Sequence, residues 1–320
     1  MDEHKYIIDQ MNYEIFLAEE GMKFSLNQLK RQQMFSESTN LEVLNEASLE
    51  IIKKYIKKVS DSVQKAWNSF KEKIDYKTMT FILENNKKYL ESDFQMKLPD
   101  EFEYPEIEEW SKINEGCKLG DNKLDAGNYA TMKPYLEDPD KFLDQYYKEF
   151  VEQTGDGKIV NISETFNKRC FSKADANHVM TSTVIGQYVN FLKDYKTQVE
   201  EIQNDINTIN EVNSNIDNLV RQILGESTLL EAEGDQQSQT QKPEDTNKFR
   251  SATGEDAPKT NVDRQNIINW YKAMTQILSA KMRTCNKVKS NALRIVTNFV
   301  RLQGGLVKLP DNLKKKEEGG

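Results

Sequence analysis

Cysteine and histidine are scarce in this chain, and their scarcity limits the metal and redox chemistry that it predicts. The 320 residues include three cysteines, Cys117, Cys170 and Cys285, and two histidines, His4 and His178. They form no Cys-x-x-Cys or His-Glu-x-x-His motif, so a zinc site of the usual kind is not expected. Three cysteines at wide spacings instead predict buried free thiols in a reducing compartment.

Sequence motifs of catalysis are also missing. There is no Gly-rich phosphate loop and no Gly-x-Ser-x-Gly nucleophile motif, and the two histidines lie in different segments. Asp121, Asp125, Asp138 and Asp140 do not follow the spacing of a calcium-binding loop. Because no nucleophile is paired with a base, the sequence predicts a protein that is not an enzyme and needs no cofactor.

Long apolar runs are absent as well. No run approaches the roughly 18 residues that a membrane-spanning helix needs, and charges interrupt any signal-peptide core near the N-terminus. Neither a transmembrane segment nor a secretory signal is therefore expected. Charged residues make up 30% of the chain against 37% hydrophobic residues, and the net charge is −8. This balance predicts a thin core spread over long amphipathic helices and argues against a chain that coats nucleic acid.

The most specific pattern that is present is a heptad repeat over residues 185–223. Its core positions alternate spacings of three and four, and eleven of the twelve are apolar or aromatic. They are Ile185, Tyr188, Leu192, Tyr195, Val199, Ile202, Ile206, Ile209, Asn213, Ile216, Val220 and Ile223. The repeat predicts one long helix of roughly 60 Å whose seam is covered by another helix. It leaves open whether that covering helix belongs to the same chain or to a second one.

Asn213 is the polar exception in this seam. A buried asparagine can fix the register of paired helices by bonding to a partner amide, at a cost in stability. Alternatively, it marks a loose helix end, because Asn215 and Asn218 lie close to it in the chain. The sequence does not decide between these two interpretations.

Three other stretches have helical periodicity. Residues 3–33 carry apolar side chains at near-helical spacing, namely Tyr6, Ile7, Met11, Ile15, Leu17, Met22, Leu26 and Leu29. Residues 48–74 combine an apolar face with a lysine-rich face, and residues 262–303 predict a last helix that ends at Gly304 and Gly305. The apolar stripe of this last helix is expected to cover the heptad seam in an antiparallel hairpin.

Together these patterns predict an all-α, elongated protein with a long coiled-coil or helical-hairpin C-terminal part. The predicted division is a helical N-terminal segment (1–46), an amphipathic helical region (47–96), an acidic loop with a small mixed, mostly helical region (97–178), the long heptad helix (179–224), a disordered linker (225–261), a basic amphipathic helix (262–305) and a flexible tail (306–320). The linker is polar and nearly free of aliphatic residues, so it cannot bury enough surface to fold. Within the mixed region, residues 140–153 predict a short helix and residues 158–162 a short strand.

Charge is distributed unevenly along the chain. Residues 262–303 hold eight basic side chains against one acid, and residues 91–115 hold nine acids against two lysines, which gives +7 and −7. We expect the basic helix to contact the acidic segment, within the chain or in a neighbouring subunit, with nucleic acid as the alternative. The lysine-rich helix 48–74 is expected to dock on other helices; the alternative is a membrane contact through Trp67 and Phe70.

Two tetrapeptides, Leu44-Asn45-Glu46-Ala47 and Leu229-Leu230-Glu231-Ala232, share the form Leu-x-Glu-Ala. Each lies beside a polar break or the linker, where a protease can reach extended backbone. This form resembles the sites cut by the prohead proteases of large myovirus-type tailed bacteriophages. The chain also resembles the internal head proteins of those phages in plan, because they carry a helical N-terminal segment that is removed at such a glutamate.

The resemblance implies a structural protein of the virion, in the head interior or associated with the capsid, that is assembled in the host cytoplasm. It implies cleavage after Glu46 and Glu231, which would leave new N-termini at Ala47 and Ala232. The implied partners are other virion proteins or a second copy of the chain, held through helix packing, and the phage protease.

Two alternative functions stay open on the sequence. The first is an unprocessed coiled-coil adaptor in the cytoplasm of a bacterial cell, which joins two partners through its ends. The second is an ejection factor that contacts DNA or a membrane through residues 48–74 and 262–303. Both alternatives, like the virion assignment, describe a protein that acts by binding.

Overall fold

The computed structural model describes residues 3–35, 41–224 and 257–308, and this part of the chain is mostly helical. Its α-helices are α1 (Glu3–Phe35), α2 (Leu41–Glu72), α3 (Tyr76–Asn85), α4 (Lys87–Leu90), α5 (Ile107–Gly116), α6 (Tyr129–Met132), α7 (Pro139–Tyr147), α8 (Ile162–Cys170), α9 (Ser182–Lys193), α10 (Tyr195–Ser214), α11 (Ile216–Leu224) and α12 (Ala257–Leu302). Two 3₁₀ turns cover Leu119–Asn122 and Lys133–Tyr135. The all-α prediction is confirmed in its helical content.

Four short strands tie the middle of the chain together. They are β1 (Met96–Lys97), β2 (Glu103–Pro105), β3 (Phe171–Lys173) and β4 (Val179–Met180). β1 pairs antiparallel with β4, and β2 pairs antiparallel with β3. Both pairs join residues that lie 66 to 84 positions apart, so they fix the two ends of the mixed region side by side.

The acidic segment 91–115 is not the surface loop that its charge predicts. It contains β1 and β2 and most of α5, and α5 buries Trp110 and Ile113 completely. Pro105 precedes the helix, where proline does not interrupt the hydrogen-bond ladder, and Glu108 and Glu109 lie in the first turn, where the helix dipole favours acids. The prediction followed the charge of the segment and missed the two large apolar residues that anchor it.

Helix α12 is the centre of the fold. It contacts α1, α2, α4, α5, α7, α8, α9, α10 and α11, and its residues 263–289 are buried on almost every side. The prediction of a basic amphipathic helix with one apolar stripe is therefore wrong for this half of the helix. Many of its polar side chains are also buried, and several bond to the surrounding elements: Asn269 donates to the carbonyls of Leu136 and Glu137, and Trp270 donates to the carbonyl of Asn122.

The heptad stretch 185–223 is divided among three helices and is not the single long helix that was predicted. α9 ends before Asp194 and α10 ends before Asn215, and each of these two residues has a ψ angle near zero. Aspartate and asparagine are weak helix formers that favour helix ends, because their side chains compete for backbone hydrogen bonds. One such residue at each place interrupts the helix without shifting the apolar spacing, so the pattern conceals both breaks.

The seam formed by the twelve heptad positions is buried within the chain, with Asn213 and Ile223 half-buried and the other ten positions buried. The hydroxyl of Tyr271 on α12 donates to the carbonyl of Ile209 at 3.3 Å. Further along, Cys285 contacts the hydroxyl of Tyr195. Because the numbering rises along α12 while it falls along α10, the two helices are antiparallel, and α12 and α2 together cover the seam.

Asn213 lies half-buried in the last turn of α10, just before the break at Asn215. This position matches the interpretation that placed it at a helix end. The register interpretation would require a partner amide across the seam, and the hydrogen bonds of the described residues include none for this side chain.

The short elements of the mixed region are partly as expected. The helix predicted over 140–153 is α7, which stops at Tyr147. The strand predicted over 158–162 is reduced to one antiparallel bridge between Gln153 and Ile159. Helix α8 begins at Ile162 instead, because the Asn161 side chain accepts a hydrogen bond from the backbone N–H of Ser163 at 3.0 Å and caps the helix.

Candidate functional site

The first helix packs on the rest of the protein through one apolar stripe. Ile8, Met11, Ala18 and Met22 recur at intervals of three, four and seven residues, so they share one side of α1. All four are buried against α2 and α12. This inner face accounts for the attachment of α1 to the fold.

Polar contacts along one edge of the inner face fix α1 in place. Asn12 donates to the hydroxyl of Ser279 at 2.9 Å, and Arg283 pairs with Asp9 at 2.5 Å. Lys272 pairs with Glu19 at 2.7 Å, which brings a third residue of α12 to α1. These bonds hold the helix in one orientation, since they lie on the side of α1 that faces α12.

Two glutamates of α1 have lowered pKa values. A hydrogen bond from Gln10 is the largest cause for Glu14, and Lys65 on α2 adds a pair at 3.2 Å that also lowers its pKa. For Glu19, burial raises the pKa, but the hydrogen bonds from Lys23 and Lys272 outweigh it and the pKa is lowered. Both carboxylates are therefore charged at neutral pH and attract the cations that hold α1.

The opposite side of α1 carries a second set of large apolar residues, which we name the outer α1 face. It consists of Tyr6, Tyr13, Phe16, Leu17 and Phe24, and each exposes 50% to 65% of its surface. Tyr6, Tyr13, Leu17 and Phe24 are separated by seven, four and seven residues, which places them in one row. The exposed area of the five is on the order of 500 Å², from the usual area of aromatic side chains.

The outer α1 face corrects one part of the sequence prediction. Tyr6 and Leu17 were assigned to the same apolar stripe as Met11, but they lie on the other side of the helix. Successive residues of an α-helix are rotated by about 100°, and this rotation places the two sets on opposite sides of α1. The spacing in the sequence therefore indicates two separate faces. An amphipathic helix on the surface of a soluble protein normally presents polar residues outward, and contiguous apolar patches of this size are typical of interaction sites.

A groove runs beside the outer α1 face. It has a volume of about 720 Å³ and lies between α1, α12 and the first residues of α7 and α8. Phe16 belongs to both the outer α1 face and the wall of the groove, so the two surfaces are continuous. The groove is lined mainly by polar groups, including Ser279, Thr275 and the pair Lys272–Glu19, and these groups are bonded to one another or to α1.

The predicted cleavage site at Glu46 and Ala47 lies inside α2, five residues after the helix begins. Ala47 is half-buried and Ser48 is buried. A protease binds extended backbone, so cleavage at this bond requires the first turns of α2 to unwind. The second site, Glu231 and Ala232, lies outside the described residues, as do most of the linker 225–261 and the end of the tail 306–320.

The basic side chains of the last helix are largely used inside the protein. Lys287 pairs with Glu103 of β2 at 2.8 Å, and the guanidinium of Arg294 lies 4.2 Å from the centre of the Phe102 ring. These two contacts join the basic helix to the acidic segment within one chain, which is one of the two arrangements that the charges predict. Because Lys287 and Arg294 are engaged in these contacts, they are less available to bind the phosphates of a nucleic acid, which weakens the nucleic-acid alternative.

The deepest ion pair joins α12 to α10. Lys281 and Asp205 are 2.5 Å apart, and their side chains are 0% and 3% exposed. Lys281 also donates to the carbonyls of Asn114 and Cys117, and the other oxygen of Asp205 accepts the N–H of Leu119. Burial raises the pKa of Asp205, and Lys281 opposes that rise. With its hydrogen bonds filled and no opening to solvent, this pair is a structural clamp.

Trp67 and Phe70 of α2 do not form a membrane-facing surface. Both are fully buried, their rings stack at 5.3 Å, and Trp67 donates to the side chain of Gln203 at 2.5 Å. Trp67 and Phe70 therefore pack inside the protein, in agreement with the expectation that helix 48–74 docks on other helices. Within residues 3–35, 41–224 and 257–308, no helix has the length and apolar character needed to cross a bilayer.

The three cysteines are buried and free, as their spacing predicts. Burial raises the pKa of each thiol to about 12, so the reactive thiolate is scarce at neutral pH. Across the described part of the chain, no group of three histidine, cysteine, aspartate or glutamate side chains is arranged to hold a metal ion. The outer α1 face is thus the feature that the fold itself does not explain.

Comparison of the chain with protein-family models, with curated proteins and with solved structures finds no match.

Proposed function

We propose that this protein is a non-enzymatic structural protein of a tailed-phage virion, associated with the head interior or the capsid, that docks on its assembly through the outer α1 face. The observation that carries the proposal is the exposure of Tyr6, Tyr13, Phe16, Leu17 and Phe24 in one continuous patch. A patch of this kind stabilises a protein only when a partner covers it, so its presence indicates assembly.

The body of the protein suits a mechanical role in that assembly. We propose that α9–α11 and α12 form an elongated, hairpin-like support, which is the finer form of the coiled-coil prediction. Its support is the antiparallel run of α10 along α12 and the burial of ten of the twelve seam positions. A support that is closely packed along its length bends little, so it holds its two ends at a fixed separation.

Processing would act on the docking surface. The bond between Glu46 and Ala47 lies between α1 and the buried part of α2, so cleavage there would cut the covalent link between the outer α1 face and the body. A cut at Glu231 would fall between α11 and α12, and burial of α12 would hold the two pieces together. The buried inner face would likewise hold α1 in place after the first cut, so the docking surface would remain on the matured protein.

The first experiment is intact-mass and N-terminal peptide mass spectrometry on particles purified from the native source. The proposal predicts that the chain is present in particles and that its mature N-terminus is Ala47. A chain that is intact from Met1 and absent from particles would contradict the proposal. Incorporation of the variant Leu17→Glu into particles should fall relative to Leu302→Glu, which makes the same change at an exposed leucine outside the outer α1 face.

An unprocessed adaptor in a bacterial cytoplasm is the second candidate function. The location of the Glu46–Ala47 bond within helical backbone, next to the buried Ser48, favours this alternative because a folded helix resists proteolysis. The adaptor predicts an intact chain that is recovered from cells with a partner bound to α1. The same mass spectrometry therefore separates the two functions.

A further inference from the structure

The spacing of the outer α1 face is symmetric about the level of Ile15. Tyr6 and Phe24 each lie nine residues from Ile15, and Tyr13 and Leu17 each lie two residues from it. If the direction of the helix is reversed, the positions of the row therefore coincide with those of the original row. A surface with this property can pair with its own copy across a two-fold axis, which is the commonest symmetry of protein assemblies.

We propose that the outer α1 face binds the same face of a second copy of this chain, with the two α1 helices antiparallel. The proposal rests on the docking role of this face and names its partner. In this register Tyr6 packs against Phe24 of the second copy, and Tyr13 packs against Leu17 of the second copy. Each contact occurs twice, so four apolar layers bury the row.

The polar residues in the same row select the antiparallel direction. Gln10 and Glu20 are exposed and complete the heptad spacing between the apolar positions. In the antiparallel pair Gln10 lies opposite Glu20, where its amide can donate to the carboxylate. A parallel pair would place Glu20 opposite Glu20, and two like charges in a seam are repulsive.

The flanks of the row are also complementary. Phe16 lies beside the axis, so the two copies of this ring meet each other and cover the centre of the interface. On the same edge, Asp9 of one copy lies opposite Lys23 of the other, and both residues are exposed. Each already has an ion-pair partner in its own chain, Arg283 for Asp9 and Glu19 for Lys23, so this contact adds only a weak rim attraction and the apolar row determines the register.

The area of the interface places it among small interfaces. Two outer α1 faces together bury about 1,000 Å² of mostly apolar surface, which is the lower limit for a specific interface. Interfaces of this size are typical of weak, transient complexes, so we expect the pair to be reversible. The dimer therefore forms at the high local concentration of an assembly and dissociates on dilution.

Sedimentation equilibrium on the full chain measures this association directly. We expect a monomer–dimer equilibrium for the unchanged protein, and a dissociation constant at least ~10-fold higher for Leu17→Glu, which buries an unpaired charge opposite Tyr13. Leu302→Glu is the matched control, since Leu302 is 63% exposed on α12 and its variant should associate like the unchanged chain. Circular dichroism should be the same for all three proteins.

Cysteine cross-linking tests the register. We expect Tyr6→Cys and Phe24→Cys proteins to form a disulfide-linked dimer when mixed, and each protein alone to form much less. The native cysteines do not interfere, because they are buried and their thiol pKa values are about 12. Cross-linking of Tyr6→Cys to itself in preference to Phe24→Cys would indicate a parallel pair and overturn the proposed register.

A chain that stays monomeric at high concentration, or a dimer that Leu17→Glu leaves unchanged, would overturn the pairing of α1 helices. Neither result removes the proposed function, which fails when the chain is absent from purified particles. A monomer whose α1 cross-links to another protein in particles would overturn the second-copy partner and keep the docking role. The two proposals are therefore tested by separate measurements.

Discussion

Helices α1 and α12 are both long and both amphipathic by sequence, yet the structure uses them in different ways. α12 is surrounded by nine other helices, and several of its buried polar side chains bond to neighbouring elements. α1 is covered on one side and presents five large apolar residues on the other. The comparison shows that a mixed apolar and polar helix is either a core element with its polar groups satisfied or a surface element with a docking face. Contacts of the polar residues distinguish the two cases.

The largest expected effect comes from breaking the buried clamp of α12. Lys281→Met leaves the carboxyl of Asp205 buried with one hydrogen bond, and the free energy of unfolding should fall by about 3–5 kcal/mol. Urea denaturation followed by circular dichroism measures the loss. The double variant Lys281→Met with Asp205→Leu should recover much of it, because no unpaired charge is left in the core.

Lys287→Met is the matched control for that experiment. Lys287 and Glu103 are 2.8 Å apart, but their side chains are 37% and 41% exposed, so the cost should be only about 0–1 kcal/mol. Equal losses for Lys281→Met and Lys287→Met would show that burial does not separate the centre of α12 from its edge.

The two faces of α1 should respond differently to the loss of a side chain. Ile8→Ala removes buried contacts with α2 and α12 and should destabilise the protein by about 2–4 kcal/mol. Leu17→Ala shortens a half-exposed side chain and should change stability by no more than about 0.5 kcal/mol at concentrations where the chain is monomeric. Thermal unfolding of both variants at low concentration compares them. A large loss in Leu17→Ala would mean that the outer α1 face is part of the core.

The smallest effect concerns the edge of α1. The pKa values of Glu14 and Glu19 are lowered from the ordinary value of 4.5, so their contribution is complete above that value and is lost as the pH falls. Between pH 7 and pH 4, α1 should lose about 0.5–1 kcal/mol of protection, and α12 should lose less because its contact with these two groups is the pair of Lys272 with Glu19. Hydrogen exchange, corrected for the intrinsic rate at each pH, measures the difference between the helices. Replacing both glutamates by glutamine should abolish it.

Long periodic stretches were predictable from the sequence, and single-residue events were not. The predicted limits of α1, α2 and α12 agree with the structure to within a few residues at most of their ends, and ten of the twelve seam positions are buried. The breaks at Asp194 and Asn215 each involve one residue, which does not disturb the apolar period. Helix α8 was missed because its nine residues are too few to show a clear period.

The position of α12 was not predictable from its own sequence. Asn266, Asn269 and Lys281 of α12 are buried, although polar side chains are usually exposed. Their partners are backbone carbonyls and side chains from distant segments, and the local sequence around each residue does not indicate which groups these are. The outer α1 face is the reverse case: its spacing could be recognised in the sequence, but the pattern predicted for residues 3–33 combined Tyr6 and Leu17 with residues of the inner face and left out Tyr13, Phe16 and Phe24.

The central place of α12 also determines when this chain can fold during synthesis. The helices that it contacts precede it, so their apolar surfaces leave the ribosome without the element that covers them. Translation proceeds at about 5–20 residues per second, and the interval between α2 and the end of α12 therefore lasts on the order of ten seconds or more. During that interval the apolar surfaces that α12 covers lack their partner, and the core can close only after α12 has been synthesised.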